Sequence, residues 1–207
     1  MAERLAAHPE LRKFVLAGGT ALAMQEGPRA SADLDFFVVS AALALPPLAG
    51  VRRDILGRGR GGIRSEERGT LHATAGGVHV SLLATPYPFL RPVRQAGSLR
   101  LAHPVDIGLM KLAAVVQRGS RRDFMDIACI LDRHLTLGGL LRLAKKKYPE
   151  VRDFVPQALR ALVYFADAER EPDPPRLDGR YAWSIVKRRI EQAVRVETGR
   201  RFGRPRP

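Results

Sequence analysis

The sequence predicts an α+β protein, with a small mixed sheet in its first half and a helical bundle in its second half. The first half contains short apolar runs rich in Val and Phe, such as 34–39, bounded by polar residues or Gly as strands are. The second half repeats apolar residues at helical spacing from Pro104, a residue suited to the first turn of a helix. The 207 residues suffice for two small domains. We place the boundary between 1–103 and 104–207.

Apolar spacing and turn-forming residues define the elements of the first half. Gly18-Gly19, Gly27-Pro28 and Gly76-Gly77 are the strongest turn signals. We predict a helix over 4–13 with Leu5, Leu11 and Phe14 pointing inward, a strand over 14–17, a helix over 20–25, a strand over 34–39, a helix over 48–56, and a hairpin of strands 70–75 and 78–84.

The second half is predicted to be helical throughout. Gly119 ends the first helix, which begins at Pro104. The predicted helices cover 104–118, 121–133, 137–148, 151–168 and 181–198, followed by the basic tail RRFGRPRP, with a proline-rich linker EPDPP at 171–175. Tyr181 and Trp183, at the start of the last helix, are expected to be packing anchors.

Charge and cysteine content limit the classes of function. The formal net charge of +14 makes nucleic acid a plausible partner, although an arginine-rich composition gives the same excess. The single cysteine, Cys129, rules out an internal disulfide framework and is expected to be a buried filler. The sequence has no apolar run of membrane-spanning length and no secretory signal, so we expect a cytoplasmic protein without membrane contact.

The segment 16–37 carries the pattern with most chemical meaning. It reads as a strand, a Gly-Gly turn, a helix, a basic loop, and a strand that carries Asp33 and Asp35. Carboxylates two residues apart on a strand point to the same face, where Mg²⁺ can bind with phosphate oxygens and waters. The helix that follows Gly18-Gly19 presents backbone N–H groups to a phosphate. An Asp-x-Asp pair alone is more often a solvated loop or a helix cap, but Asp35 lies within an apolar strand, where an unpaired charge is costly.

Two sequence blocks resemble a known family. GGTALAMQEGPRASADLDFF is similar to the signature of the AbiEii/AbiGii toxin family of nucleotidyltransferases, within the DNA polymerase β superfamily. MKLAAVVQRGSRRDFMDIACIL, from Met110 to Leu131, resembles the family's lysine-bearing helix and the Arg-Asp-x-x-Asp helix after it. The resemblance covers about residues 11–150. It implies a nucleotidyltransferase core followed by a helical domain.

The resemblance also implies roles for individual residues. Gly18, Gly19 and Thr20 would line a nucleoside triphosphate, helped by Arg29 and Ser31 from the basic loop. Asp33 and Asp35 would bind Mg²⁺, with Mn²⁺ as an alternative. Lys111 would contact the nucleotide. Asp123 would act as a base or as a charge organiser near the reaction, although Asp123 and Asp126 are nearly as well explained by pairing with Arg118 or Arg122. The predicted catalytic residues are Asp33, Asp35, Lys111 and Asp123.

One departure concerns the number of metal ions. Polymerase β-like enzymes commonly carry a third carboxylate on a later strand, and the corresponding strand here, GVHVSLLAT, offers His79 and Ser81 instead. This places a two-metal mechanism in question. Asp123 could replace the missing acid, one metal could suffice, or the protein could bind a nucleotide without transferring it.

Three functions follow from the pattern. The first is an Mg²⁺-dependent transferase that moves a nucleotidyl group to an acceptor, with tRNA tested first, as the toxin of a toxin–antitoxin or phage-defence pair with a cognate antitoxin. The second is a non-catalytic nucleotide- or RNA-binding protein on the same scaffold. The third is a transferase with a small-molecule acceptor, which predicts an acidic cleft.

GRGRGG at 57–62 formally satisfies a dinucleotide motif but lacks its strand–turn–helix setting, so we expect a mobile basic loop.

Overall fold

A computed structural model describes residues 1–57, 61–172 and 179–203. Across these residues the chain divides into two compact units. Residues 1–24 and 31–103 form a sheet unit, and residues 25–30 together with the chain from Pro104 onward form a helical unit. The short segment 25–30 therefore belongs with the helices rather than with the sheet.

The sheet unit begins with alternating short helices and strands and ends with five strands in succession. Its core comes from alternating apolar residues: along β2, Leu34, Phe36 and Val38 are buried. The elements are α1 (Ala2–Ala6), β1 (Val15–Ala17), α2 (Gly18–Glu26, whose last two residues belong to the helical unit), β2 (Leu34–Val39), α3 (Ala49–Leu56), β3 (Gly62–Glu67), β4 (Thr70–Ala75), β5 (Val78–Thr85), β6 (Arg94–Ala96) and β7 (Leu99–Leu101).

The strands within the described residues form one mixed seven-stranded sheet in the order β3-β4-β5-β2-β1-β7-β6. The β2–β5 and β1–β7 pairs are parallel, and the other neighbouring pairs are antiparallel. The mixed sheet followed by helices confirms the predicted α+β class. The hairpin of β4 and β5 turns through Gly76 and Gly77, both with positive φ, as expected.

The structure of this unit differs from the expectation in two respects. The predicted helix over 4–13 is interrupted: α1 ends at Ala6, and a 3₁₀ turn covers Pro9–Leu11, because Pro9 has no N–H to continue a helix. Strands β3, β6 and β7 were not predicted. β3 is a mostly exposed edge strand without an apolar pattern, so periodicity gives no signal there. Residues 58–60 of the GRGRGG segment lie outside the described residues.

The helical unit is built on α4. This helix packs against α5, α6 and α7, while α9 packs on α5 and α6. The helices of this unit are α4 (Pro104–Gln117), α5 (Arg121–Arg133), α6 (Leu137–Lys147), α7 (Phe154–Ala161), α8 (Ala166–Glu169) and α9 (Trp183–Phe202). The bounds of α5 match the prediction, and Cys129 is fully buried within it as expected.

The predicted helix over 151–168 is wrong as one piece. Asp153 has a left-handed backbone (φ 57°) and α7 starts after it, while α8 begins only at Ala166. The break has a packing reason, because Phe165 lies against Phe124 and Trp183, with ring centroids 5.1 and 5.7 Å away. Trp183 is thus a packing anchor, as predicted.

The end of the chain differs in length from the prediction. The last helix, α9, starts at Trp183 and continues to Phe202, beyond the predicted end at residue 198. Most of the EPDPP linker and the end of the basic tail, at 173–178 and 204–207, lie outside the described residues. Within the described part of the chain, no helix is long and apolar enough to cross a lipid bilayer.

Candidate functional site

Asp35 lies on the less covered face of the sheet. It alternates with the buried Leu34 and Phe36, so its carboxylate points away from the apolar core. Its neighbours in register are Ala17 on β1 and Ser81 on β5. Both neighbours have small side chains.

Gly18 brings the start of α2 against this carboxylate. Its φ is +69°, and a Cβ built on it would lie 2.5 Å from Oδ2 of Asp35. Any other residue would therefore be strained and would collide with the carboxylate. The first N–H groups of an α-helix have no partner within the helix and can bind a phosphate. The carboxylate of Asp35 therefore lies beside a helix start that is suited to phosphate binding.

Thr20 joins α2 to the segment that carries Asp33. Its Oγ1 donates to the carbonyl oxygen of Asp33 at 2.5 Å and lies 3.1 Å from Oγ of Ser31. Thr20 as a whole is 9% exposed. These contacts give the hydroxyl a positioning role: it fixes the backbone just before β2, and with it the spacing of the two carboxylates.

The donor set at this face fits a divalent cation held by two carboxylates. Mg²⁺ is typically bound through one or two carboxylates, with substrate phosphates and waters completing its shell. Asp33, directly before β2, and Asp35 would supply the carboxylates, and the glycine-led helix start would face the phosphates. Among residues 1–57, 61–172 and 179–203, no group of three or more His, Cys, Asp or Glu side chains is arranged as a metal site.

The position next to Asp35 on β5 is occupied by a hydroxyl. Ser81 stands in register with Asp35 on one side and with His72 of β4 on the other, and Nδ1 of His72 lies 3.1 Å from Oγ of Ser81. Sequence reasoning identified Ser81 but missed His72. Finding His72 requires the pairing of β4 with β5, which the hairpin signal at Gly76-Gly77 could have provided.

The helical unit holds a second set of predicted residues around Lys111. Nζ of Lys111 lies 2.7 Å from Oδ1 of Asp123 and 3.0 Å from Oδ2 of Asp126. Burial lowers the pKa of Lys111, but the charges of Asp126 and Asp123 outweigh burial and raise the pKa above its ordinary value. Lys111 is therefore a cation at neutral pH.

Asp123 is the most heavily bonded carboxylate of this cluster. Besides Lys111, it accepts hydrogen bonds from Oγ of Ser120 at 2.7 Å and from Nε of Arg118 at 3.1 Å. Burial raises its pKa, but the attraction of Lys111 and these hydrogen bonds prevail and lower the pKa to about 2. A carboxylate with so low a pKa is a weak proton acceptor. The geometry therefore favours charge organisation over the base role.

Arg29 has a structural partner that the sequence did not reveal. Its Nε and Nη2 donate to the two oxygens of Asp126 at 2.9 and 2.7 Å, and its Nη1 donates to the carbonyl of Ala30. The Arg29 side chain is 3% exposed. Each guanidinium nitrogen thus donates within the protein, which gives Arg29 a role different from the predicted nucleotide contact.

The structure thus brings the predicted residues together in two groups. In the sheet unit, Asp35 adjoins Gly18 at the start of α2, while Thr20 fixes Ser31 and Asp33. In the helical unit, the positive charges of Arg29, Lys111 and Arg118 face the negative charges of Asp123 and Asp126, and three minus two leaves a net charge of +1. Such a cluster can attract a phosphate.

Comparison with solved structures shows the fold. The chain is similar to a putative nucleotidyltransferase from Helicobacter pylori, with a TM-score of 0.51, 18% identity, and coverage of 94% of this chain and 88% of the other. It is also similar to MenT4, a nucleotidyltransferase toxin from Mycobacterium tuberculosis, with a TM-score of 0.51, 17% identity, and coverage of 88% and 74%. These likenesses support a nucleotidyltransferase fold.

Comparison of sequences shows the family. Residues 1–89 match the family model described as nucleotidyl transferase AbiEii toxin, type IV TA system. The uncharacterized protein aq_aa25 of Aquifex aeolicus is 36% identical over 161 residues, which cover 76% of each chain. The match to the family model confirms the resemblance predicted from the sequence. The chain belongs to the AbiEii family of nucleotidyltransferase toxins of type IV toxin–antitoxin systems.

Proposed function

We propose that this chain transfers a nucleotidyl group from a nucleoside triphosphate to an RNA acceptor, with tRNA the first to test. Asp33 and Asp35 hold Mg²⁺, and Gly18, Gly19 and Thr20 border the triphosphate. The protein works in the cytoplasm as a toxin that a cognate antitoxin protein controls. One observation carries the proposal: the Asp35 carboxylate lies directly against Gly18 at the start of α2.

In the proposed reaction, an acceptor hydroxyl oxygen attacks the α-phosphorus. The bond from that phosphorus to the bridging oxygen of pyrophosphate breaks, and the hydroxyl proton passes to solvent. Mg²⁺ held by Asp33 and Asp35 would supply neutralisation of charge on the phosphate oxygens. The backbone N–H groups at Gly18 and Gly19 orient the phosphates. Catalysis then depends on positioning and on charge stabilisation, as in other phosphoryl transfers.

For the helical unit we propose a supporting role in the same reaction. The family pattern implies that Lys111 contacts the nucleotide, and the net positive charge of its cluster supports a phosphate contact. We assign Asp123 to positioning, because its low pKa suits a carboxylate that stays ionised and holds Lys111. The predicted contacts of Arg29 and Ser31 with the nucleotide are better replaced by positioning roles, through Asp126 and Thr20 respectively.

The test uses purified protein, total tRNA, Mg²⁺ and each α-³²P-labelled nucleoside triphosphate in turn. We expect label on RNA with the wild type and a loss of about a hundredfold or more with Asp35→Asn, as when a charge-stabilising group is removed. Asp54→Asn, on α3 of the same unit, is the matched control and should keep its activity. Labelling of RNA by Asp35→Asn at the rate of the wild type would overturn the assignment of Asp35.

A non-catalytic nucleotide-binding protein is the second candidate, and Ser81 favours it. Where a third carboxylate would complete a two-metal site, β5 supplies a hydroxyl that is hydrogen-bonded to His72. In that case the wild type binds Mg²⁺ and a triphosphate but labels no RNA with any of the four nucleotides.

Ser81→Asp tests the number of metal ions directly. The new carboxylate would stand in register with Asp35 on the parallel strand β5. We expect Mn²⁺ binding, followed by electron paramagnetic resonance, to become tighter or to gain a second ion. Unchanged Mn²⁺ binding would mean that this strand position does not belong to the metal site.

A further inference from the structure

The helical unit contains an open groove of about 510 Å³ that none of the proposed roles above uses. Its walls are the end of α4 and the turn after it (115–119), Arg160 on α7, and Tyr164 and Asp167 around the α7–α8 connection. A volume of a few hundred cubic ångströms is typical of a ligand site. The groove is therefore large enough for a nucleotide-sized group.

Arg118 connects this groove to the Lys111 cluster. Its side chain is 66% exposed and lines the groove, while its Nε donates to Asp123 at 3.1 Å. The same carboxylate binds Lys111 at 2.7 Å. A molecule in the groove would thus contact a side chain that is hydrogen-bonded to the predicted catalytic cluster.

An exposed aromatic ring borders the groove. Tyr164 is 57% exposed, and its neighbour Val163 is 47% exposed. The next residue, Phe165, packs against Phe124 and Trp183 and so holds this turn in place, while Tyr164 is exposed. Exposed aromatic rings are the stacking surfaces on which proteins bind the bases of single-stranded nucleic acids.

The charges around the groove suit a phosphate backbone. Arg118 and Arg160 are both exposed cations. The acidic member of the wall, Asp167, is compensated by Arg170, whose Nη1 lies 3.3 Å from its Oδ1. Two separated guanidinium groups match the single charge that each nucleotide of a strand carries, whereas a triphosphate concentrates several charges and calls for a metal.

We propose that this groove binds the single-stranded end of the RNA acceptor, with a base stacked on Tyr164 and backbone phosphates at Arg160 and Arg118. The proposal rests on the proposed function, since it names the subsite for that reaction's acceptor. It assigns acceptor affinity to the α7–α8 turn and leaves triphosphate binding to the sheet unit and Lys111.

Binding is measured without triphosphate or metal, by fluorescence anisotropy of a 5′-fluorescein-labelled single-stranded hexaribonucleotide. Loss of one base-stacking ring typically weakens binding by about five- to a hundredfold. We expect Tyr164→Ala to show such a loss and Tyr164→Phe to retain most of the affinity. Arg160→Glu should weaken binding more than Arg142→Glu, which makes the same charge change at an exposed position of α6 outside the groove.

Three results would overturn the proposal. They are absence of RNA binding to the wild type, wild-type RNA affinity in Tyr164→Ala, and equal effects of Arg160→Glu and Arg142→Glu, which would indicate a diffuse charge effect.

A parallel titration with each triphosphate and Mg²⁺ separates the groove from the triphosphate site. Tyr164→Ala should bind the triphosphate with the affinity of the wild type. A weakened triphosphate affinity with unchanged RNA affinity would make the groove a nucleotide site instead. This assay measures RNA binding separately from nucleotidyl transfer. If the protein binds RNA through the groove but labels no RNA, the transferase function is refuted and the RNA-binding role of the groove is retained.

Discussion

The two units of the chain carry acidic pairs of opposite kinds. In the sheet unit, Asp33 and Asp35 are partly exposed, and Asp35 is flanked by the small residues Ala17 and Ser81. In the helical unit, Asp123 and Asp126 are buried and receive hydrogen bonds from Lys111, Arg118 and Arg29. The first pair is partly exposed to solvent, and the second pair has its oxygens directed to cations.

This contrast separates function from stability. Removing one partner of a buried ion pair leaves a charge without compensation, at a cost of several kcal/mol. Removing a carboxylate from a partly exposed face costs the fold little. We therefore expect substitutions in the helical pair to act on the free energy of unfolding, and substitutions in the sheet pair to act on ligand binding and activity.

The largest effect on stability is expected for Asp126→Asn. The substitution removes the negative charge that compensates Arg29, whose side chain is 3% exposed, and that also pairs with Lys111. We expect a loss of about 3–5 kcal/mol in the free energy of unfolding, measured by urea denaturation. Asp167→Asn is the control, because its partner Arg170 is 78% exposed and such a pair contributes about 1 kcal/mol or less.

A double variant distinguishes two causes of this destabilisation: the uncompensated charge of Arg29 and the lost attraction between Arg29 and Asp126. In Arg29→Met with Asp126→Leu, neither charge of the pair remains, and apolar pairs often replace buried ion pairs at little cost. We expect the double variant to be more stable than Asp126→Asn. Equal destabilisation would show that the attraction itself, rather than the unpaired Arg29, determines the loss.

The next effect is a dependence of stability on pH through Asp123. Its pKa is lowered from 3.8 to about 2 in the folded protein, so its contribution is fully present above the unfolded value and is lost as the pH falls toward the folded value. The shift corresponds to about 2 kcal/mol. We expect the difference in free energy of unfolding between the wild type and Asp123→Asn to shrink by this amount between about pH 5 and pH 2. A constant difference across that range would contradict the lowered pKa.

A smaller effect is expected at Thr20. Thr20→Val keeps the shape of the side chain but removes the hydroxyl that donates to the carbonyl of Asp33. We expect a loss of about 1 kcal/mol on urea denaturation, together with weaker Mn²⁺ binding because the segment carrying Asp33 is released. Thr20→Ser keeps the hydroxyl and should retain the metal affinity. If Thr20→Val binds Mn²⁺ with the affinity of the wild type, the Thr20 hydroxyl does not position Asp33 for metal binding.

The same two regions show what sequence alone can and cannot provide. The strand with Asp35 and the Gly-Gly turn before α2 depend on residues within about 20 positions of one another, so alternation and turn chemistry predict them. The bond between Arg29 and Asp126 joins residues 97 positions apart, and no local pattern reports it. Strand β3 was missed for a different reason: it lies at the sheet edge, and its mostly exposed residues need no apolar alternation.

The smallest effect on stability, and the sharpest contrast, is expected for Asp35→Asn. Asparagine has nearly the same shape and fits beside Gly18, where the carboxylate oxygen now lies against the glycine. Because Asp35 is only partly buried between Ala17 and Ser81, we expect the free energy of unfolding to change by about 0.5 kcal/mol or less. Urea denaturation of the protein used in the labelling assay measures this change. A loss as large as that of Asp126→Asn would mean that Asp35 supports the fold, and its loss of activity would then say nothing about metal binding. Full stability with lost Mn²⁺ binding would instead show that the open face of the sheet keeps this carboxylate for a ligand, as the buried pair of the helical unit keeps its carboxylates for the fold.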